Sequence, residues 1–208
     1  MTEGKQPKDR DAGIKRYFDY HLDVENRNIY IGSDDDDELT AEIAEMAIKS
    51  FTILNSVSKD PITVTMNSPG GDYYHGMAVY DAIRNSPCRV TITAYGYCMS
   101  MGSIIFQAAD IRIMAPHAIM MIHDGQESFW GTPKELVAYA DHSKKVEQTV
   151  HKIYLERTGM LKKEFLEMYR NTKYFTAQEA VKYGFADKVM VKRKLPKAER
   201  RSSKKSGK

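Results

Sequence analysis

The sequence predicts an α/β domain in which strands and helices alternate along the chain. Short apolar runs rich in β-branched residues, typical of buried strands, are separated by segments whose apolar residues recur at helical spacing. The 208 residues are 42% hydrophobic and 10% aromatic, a globular composition in a chain long enough to bury one core. Such alternation favours layered sheets joined by crossover helices, and we see no internal repeat.

The first half of the chain is predicted to contain three strands and three helices. The strands are the runs 24–31, 62–66 and 88–94. Apolar residues at helical spacing follow each run: Ile43, Ala47, Phe51 and Leu54, then Met77, Tyr80 and Ile83, then Ile104, Ile105, Ala108 and Ala109. The acidic run 34–38 precedes the first helix, where carboxylates interact favourably with the helix dipole. Calcium binding is the alternative for these acids, but they lack the spaced ligands of a calcium loop, so we predict no metal site.

The second half is predicted to contribute three more strands and three helices. The strands are 111–114, 118–122 and 186–191, and the first two helices are 133–157 and 162–169. The last helix begins at Thr176 and ends at Gly184, because Thr176 and Glu179 have the spacing of a capping box.

The net charge of +3 conceals a basic C-terminal segment. Residues 192–208 carry nine Lys or Arg and one acid, a local charge of +8, which leaves −5 for residues 1–191. We predict a disordered, solvated tail at 192–208 rather than a nucleic-acid interface. Residues 1–20 are predicted to form a mobile N-terminal arm, and residues 21–191 a single domain.

Composition argues against several classes of protein. No run approaches the roughly 20 apolar residues that a membrane-spanning helix requires, and no apolar secretory segment opens the chain. Cys88 and Cys98 are therefore interpreted as reduced thiols of a cytoplasmic protein. A zinc site is not expected, because these two widely spaced cysteines lack a second pair.

Four residues have the types and order that acyl-transfer chemistry requires. Hydrolysis by serine needs a hydroxyl nucleophile, a base and backbone N–H groups that hold the oxyanion. Ser100 follows a predicted strand and begins a helix, and His123 ends another strand. Gly71, after a third strand, and Met101, in the first turn of a helix, are candidate oxyanion donors. The sequence therefore predicts a hydrolase with Ser100 as nucleophile and His123 as base.

Each feature also has a structural explanation. A Pro-Gly-Gly sequence is usually a turn, a serine at a helix start is usually an N-cap, and a single histidine is usually structural. The Gly-x-Ser-x-Gly pattern of a nucleophile elbow is absent, because Cys98 occupies the first glycine position. The other histidines are interpreted as structural: His21, His75, His117, His142 and His151.

Six short motifs follow one another along the chain. They are Asn67-Ser68-Pro69-Gly70-Gly71, Gly76-Met77, Tyr80-Asp81, Gly96-x-x-x-Ser100-Met101-Gly102, Met121-Ile122-His123 and Ala177-x-Glu179-Ala180-Val181-x-Tyr183-Gly184-x-x-Asp187. Together they resemble the proteolytic subunit family of the Clp protease, ClpP. The resemblance covers residues 24–191, with residues 1–20 and 192–208 outside it.

The resemblance implies a ClpP-like serine endopeptidase in the crotonase-like fold class, with layered β-sheets, flanking helices and a protruding handle. It implies seven-membered rings, two of which stack around a closed chamber that a ring-shaped AAA+ unfoldase fills with unfolded polypeptides. ATP is then used by that ATPase, and no cofactor is expected in this chain. By position, Ser100 is the nucleophile and His123 the base. Gly71 and Met101 are the oxyanion donors, and residues 125–157 are the handle, a strand plus a long helix.

The chain departs from the family at its third catalytic member. Thr172 stands where the family carries an aspartate, with Asn171 as the neighbouring alternative. Either side chain accepts a hydrogen bond from the histidine but offers no charge, and loss of that acid lowers turnover about 10⁴-fold in serine proteases. Further departures are Cys98-Met99 before the serine, Asp124-Gly125 after the histidine and the missing Arg-Asp pair that helps to join the rings.

Three alternatives stay open at this point. The first is a catalytically weak or silent subunit of a mixed ring. The second is a crotonase-fold enzyme that acts on acyl-CoA thioesters. The third is a signal-peptide peptidase of the Ser–Lys type, which requires a lysine base and a membrane anchor.

Overall fold

A computed structural model describes the backbone of residues 7–33 and 38–191, and the side chains of those residues from 11 onward. Its strands are β1 (Leu22–Asp23), β2 (Asn28–Ile31), β3 (Ile62–Ser68), β4 (Val90–Met99), β5 (Ile111–Met114), β6 (Ile119–Ile122), β7 (Lys173–Thr176) and β8 (Lys188–Val189). Its helices are α1 (Pro7–Tyr20), α2 (Ala41–Val57), α3 (Tyr73–Arg84), α4 (Met101–Phe106), α5 (Pro133–Thr158), α6 (Lys162–Arg170) and α7 (Ala177–Lys182).

The strands form a largely parallel sheet with the order β1-β2-β3-β4-β5-β8, to which β6 is added through β4 and β7 through β6. Only the outer pairs β1–β2 and β6–β7 are antiparallel among the described strands. Helices connect the successive parallel strands β2, β3, β4 and β5. The predicted α/β architecture with crossover helices is therefore confirmed.

Strand β4 changes its partner halfway along its length. Residues 91–94 pair with β5, whereas residues 97–99 pair with β6. Gly96 lies between the two halves with φ of 46°, a conformation that glycine adopts without strain. A Cβ added there would lie 2.5 Å from Asn67 Oδ1, so β3 approaches this bend too closely for a side chain. The bend places the end of β4 beside the end of β6, where the candidate site lies.

One part of the core is packed between the sheet and the helices α2, α3 and α4, and another part includes buried residues of α5, α6 and α7. Every second residue of the central strands is buried: Ile29, Ile31, Ile62, Val64, Met66, Val90, Ile92 and Ala94. Burying such side chains stabilises a fold by about 1.5–3 kcal/mol each. The rigid sheet therefore fixes the strand ends that carry the polar residues of the site.

The N-terminal region differs from the sequence prediction in two respects. Residues 7–20, which lie within the predicted mobile arm, form helix α1, and the mobility of the arm stays a prediction. The strand predicted at 24–31 is confirmed only at 28–31, where β2 lies, and β2 forms an antiparallel hairpin with β1. Asp23 accepts hydrogen bonds from the Asn26 backbone and side chain at 3.1 and 2.6 Å, and this Asx-type turn interrupts the strand.

The C-terminal half agrees with the predicted helices but not with every strand. The helix predicted at 133–157 is α5, which begins with a capping box between Thr132 and Glu135. The handle strand implied before it is wrong, since residues 125–132 contain no strand and pair with no described strand. Strand β7 was not predicted, and the strand predicted at 186–191 is reduced to β8.

Some predictions fall on segments that the structure does not describe. The basic tail at 192–208 and most of the acidic run, 34–37, lie outside the described residues. Within the described part of the chain, no helix combines the length and apolar character needed to cross a membrane.

Candidate active site

Ser100 lies at the sharp turn between β4 and α4 in a strained backbone conformation. Its φ is 48° and its ψ is −125°, a region that costs a non-glycine residue about 1–3 kcal/mol. Its N–H donates to the carbonyl of Met121 at 2.9 Å, which ties the turn to β6. This is the strand–turn–helix geometry of a nucleophile elbow, although the Gly-x-Ser-x-Gly sequence is absent.

His123 immediately follows β6 and faces the serine. Ser100 Oγ and His123 Nε2 are 2.7 Å apart, a short hydrogen bond. The parallel pairing of β6 with the second half of β4 explains this proximity, because the two strands end at the same edge of the sheet. The structure thus brings the predicted nucleophile and the predicted base within proton-transfer distance.

The two candidate oxyanion donors flank the serine. Gly71 follows β3 and Met101 is the first residue of α4, whose N–H has no intrahelical acceptor. Gly71 has φ of 148°, and a Cβ there would lie 2.5 Å from the backbone nitrogen of Leu39. Leu39 N–H donates to the Gly70 carbonyl at 2.7 Å, so the glycine loop is held by the segment before α2. Gly71 and Met101 both line the cleft that contains Ser100.

Thr172, the predicted third member, lies just before β7, as His123 lies just after β6. The antiparallel β6–β7 pairing ends with Ile122 and Lys173, so His123 and Thr172 are the residues next to its last pair. Thr172 is exposed and has φ of 46°, an unfavourable value for a β-branched residue. Within the described residues, no hydrogen bond joins His123 to Thr172 or Asn171, and the Asn171 side chain instead donates to the Glu167 carbonyl at 2.8 Å. The role of Thr172 stays a prediction.

A cleft of about 800 Å³ surrounds Ser100 and His123. Its acidic lining residues are Glu38, Asp72, Asp124, Glu127 and Glu147. Its aromatic lining residues are Tyr73, Tyr74, Tyr139, Tyr154 and Tyr169. No lysine or arginine is among the described residues that line it. The cleft is therefore acidic, and it is large enough for a peptide segment.

Helix α5 forms one wall of this cleft. The Tyr74 hydroxyl on α3 lies 2.7 Å from Nε2 of His142 on α5, and the two rings are stacked. This contact links the opposite walls of the cleft. His142, which the sequence analysis interpreted as structural, therefore holds α5 in place beside the site.

Cys98, two residues before the serine, is not a competing nucleophile. It is fully buried, and burial raises the pKa of its thiol far above the ordinary value. A thiol without its thiolate form is a weak nucleophile. Ser100 is therefore the group in this turn that is suited to attack a substrate.

Comparison with known proteins decides the family. A model of the Clp protease family matches residues 14–193. The chain belongs to the Clp protease family. The ATP-dependent Clp protease proteolytic subunit 1 of Corynebacterium jeikeium is 30% identical over 193 residues, which cover 90% of this chain and 96% of that protein. The predicted resemblance to ClpP is thereby confirmed.

Other Clp protease subunits show similar likeness. The ATP-dependent Clp protease proteolytic subunit of Pleurastrum terricola is 32% identical over 176 residues, covering 84% of this chain and 88% of that protein. That of Deinococcus radiodurans is 29% identical over 181 residues, covering 86% of this chain and 87% of that protein. Similarity over nearly the whole domain supports a shared fold throughout the Clp-like region.

Sequence reasoning missed several residues that shape the site. The sequence motif includes Gly70 but assigns it no contact with the serine, and it assigns no role to the Ser103 and Tyr154 hydroxyls. The cleft carboxylates come from four separate segments, so their proximity has no local sequence signal. The Pro-Gly-Gly sequence was the one signal that pointed to a close backbone approach at Gly70.

Proposed function

We propose that this Clp protease family member is a serine endopeptidase that cleaves unfolded polypeptides. The observation that carries the proposal is the 2.7 Å contact between Ser100 Oγ and His123 Nε2 at a strained strand–helix turn. Family membership supports the reaction class, because the family's name describes proteases.

In the proposed mechanism, His123 Nε2 accepts the hydroxyl proton of Ser100 while Oγ attacks the peptide carbonyl. The N–H groups of Gly71 and Met101 stabilise the negative charge on the carbonyl oxygen. His123 then gives the proton to the leaving amine, and an acyl-enzyme remains on Ser100. A water molecule, activated by the same imidazole, releases the acid product and restores the serine.

We also propose that the chain works as a subunit of stacked rings in the cytoplasm. The printed names of the relatives describe proteolytic subunits of an ATP-dependent protease. The α5 region exposes apolar side chains suited to subunit contact: Trp130 at 98% and Val137 at 64% exposure. On this proposal a partner AAA+ ATPase uses the ATP and delivers the polypeptide, and the chain itself needs no cofactor.

A catalytically weak or silent subunit of a mixed ring is the second candidate. The observation that favours it is the absence, among the described residues, of a hydrogen bond from His123 to Thr172 or Asn171. Without a carboxylate partner the imidazolium that forms during attack is less stabilised. Turnover is then limited by the base, although the nucleophile itself is in place.

The other two alternatives fit the cleft poorly. The phosphates of coenzyme A would be repelled by the acidic lining, which disfavours an acyl-CoA substrate. A Ser–Lys peptidase needs a lysine beside the nucleophile, and none of the described lining residues is a lysine.

The proposal is tested with a fluorophosphonate probe and a set of short fluorogenic peptides. Wild-type protein should be labelled at Ser100 and should cleave peptides, while Ser100→Ala should lose both activities. The matched control is Ser56→Ala, an exposed serine at the end of α2 that is not among the residues lining the cleft. Labelling that survives in Ser100→Ala, or no labelling in the wild type, would overturn the assignment.

A further inference from the structure

A chain of three oxygens connects α5 to the backbone of the nucleophile, and its two hydroxyl oxygens are buried. Tyr154 Oη lies 2.6 Å from Ser103 Oγ, and Ser103 Oγ lies 2.7 Å from the carbonyl oxygen of Ser100. Ser103 is fully buried and Tyr154 nearly so, at 0% and 1% exposure. The contact between the Ser103 and Tyr154 hydroxyls is buried, so each of these two hydroxyls needs a hydrogen-bond partner within the protein.

Counting protons fixes the direction of the two hydrogen bonds. The Ser100 carbonyl can only accept, so the single hydroxyl proton of Ser103 is donated to it. Ser103 Oγ must then accept from Tyr154, whose own hydroxyl proton completes the chain. Burial raises the pKa of Tyr154 well above the ordinary value, so the phenol keeps this proton across the working pH range.

The Ser100 carbonyl belongs to the same peptide unit as the Met101 N–H. A trans peptide unit is planar, with its C=O and N–H pointing in opposite directions. Fixing the direction of the Ser100 carbonyl therefore fixes the direction of the Met101 N–H, the proposed oxyanion donor. The helix N–H groups of Ser103 and Ile104 also donate to this carbonyl, at 2.9 and 3.3 Å, but the Ser103 hydroxyl makes the shortest contact.

We propose that Tyr154 and Ser103 are positioning residues, which orient the Met101 N–H towards the oxyanion through the Ser100 carbonyl. This inference rests on the proposed peptidase function and adds two residues to its machinery. We call this chain of hydrogen bonds, from Tyr154 through Ser103 to the Ser100 carbonyl, the relay. Neither side chain contacts the scissile bond in the proposal. They act on the backbone of a turn whose φ of 48° is strained and needs support from its surroundings.

The ring of Tyr154 is held in place by its aromatic neighbours. It packs against Phe165, Tyr169 and Phe185 with ring centroids 5.5, 6.3 and 5.7 Å away. Tyr154→Phe keeps this ring and removes only the hydroxyl. Tyr183→Phe is the matched control, because Tyr183 packs on Phe175 within the same core and lies outside the cleft lining.

The experiment compares wild type, Tyr154→Phe, Ser103→Ala, the double variant and Tyr183→Phe. We expect Tyr154→Phe and Ser103→Ala each to lower kcat, and the rate of fluorophosphonate labelling, about tenfold, a barrier increase of about 1.4 kcal/mol. KM should stay within about twofold, because an oxyanion donor acts mainly on the transition state. The acidic limb of the pH–rate profile should not move, since the contact between Ser100 and His123 is unchanged.

The activity of the double variant shows whether Tyr154 and Ser103 act through one another or independently. If Tyr154 acts through Ser103, the double variant loses no more activity than Ser103→Ala alone. Independent losses that multiply, or a Tyr154→Phe protein as active as Tyr183→Phe, would overturn the relay. Wild-type protein that neither labels nor cleaves would instead refute the proposed function. If Tyr154→Phe folds poorly, Ser103→Ala provides the same measurement, with labelling rates taken well below each variant's Tm.

Discussion

Gly70 packs directly against the nucleophile. A Cβ added at Gly70 would lie 2.6 Å from Ser100 Cβ and 3.0 Å from the backbone nitrogen of Met101. Gly70 also has φ of 111°, which side chains rarely adopt. The backbone of Gly70 therefore packs against the turn that carries Ser100, and a side chain at position 70 would not fit there without displacing that turn.

The substitution Gly70→Ala should abolish most peptidase activity. The added methyl must displace either Ser100 or the Met101 N–H, so we expect kcat/KM to fall roughly 100-fold or more, as for loss of an oxyanion donor. Gly13→Ala is the control, because no atom lies within 4 Å of a Cβ there. Peptide cleavage and the Tm of both variants are measured together. An active Gly70→Ala enzyme would show that the close approach is not needed for catalysis.

The substitution Thr172→Asp should raise activity. It places a carboxylate beside the last β6–β7 pair, which His123 follows directly, and aspartate tolerates the positive φ of this position better than threonine. We expect kcat to rise by at least about tenfold, because the acid stabilises the imidazolium. Thr172→Asn is the matched control, since asparagine has the shape of aspartate and the same tolerance of positive φ but no charge. Equal kcat in the two variants would show that a carboxylate here does not reach the base.

The acidic cleft should favour cationic peptides. We expect peptides with Lys or Arg beside the scissile bond to be cleaved faster than matched Gln peptides, with an advantage that shrinks as salt is added. Glu127→Gln and Glu147→Gln should each reduce this preference about two- to fivefold, the range of a partly exposed charge pair. Glu156→Gln is the control, because Glu156 is on the same helix as Glu147 but outside the cleft lining. A uniform loss on basic and neutral peptides would contradict an electrostatic origin.

Local sequence patterns were sufficient to predict much of the fold and the reacting pair, Ser100 and His123. The apolar spacing of Phe51 and Leu54 reports one buried helix face, and the Thr176–Glu179 pattern marks a helix start, since each depends only on near neighbours. Ser100 and His123 were predictable because each ends a strand of a parallel sheet. Such strand ends gather at one edge whatever the details of packing.

Contacts between distant segments were not predictable. The change of partner in β4 depends on Gly96 meeting Asn67, and the relay joins Ser103 to Tyr154, 51 residues later. The four residues of β7 include the strand-favouring Tyr174, Phe175 and Thr176, but the segment is too short to predict a strand without its partner β6. The acidic residues of the cleft come from separate segments of the chain, so their proximity likewise could not be predicted from the sequence.

The partly buried His151 on α5 should make folding stability depend on pH. His151 packs edge-on against Phe165 and Tyr169, and its Nε2 makes no hydrogen bond within the described residues, although Glu147 Oε1 lies 3.6 Å away. Burial lowers its pKa below the ordinary value. The charged groups that face it are Glu147 and Asp124, which offset the lowering in part, and Lys162 and Arg170, which add to it.

Because the folded state holds this histidine neutral, the unfolded chain binds the proton more readily. The contribution of His151 to stability is therefore complete above the unfolded pKa and is lost as pH falls below that value towards the lower folded pKa. We expect the Tm of the wild type to fall between pH 7.5 and 5 by more than that of His151→Gln. His117→Gln, at an exposed position, is the control and should follow the wild type. Parallel Tm curves for wild type and His151→Gln would show that another group, such as the half-buried His21, governs the acid sensitivity.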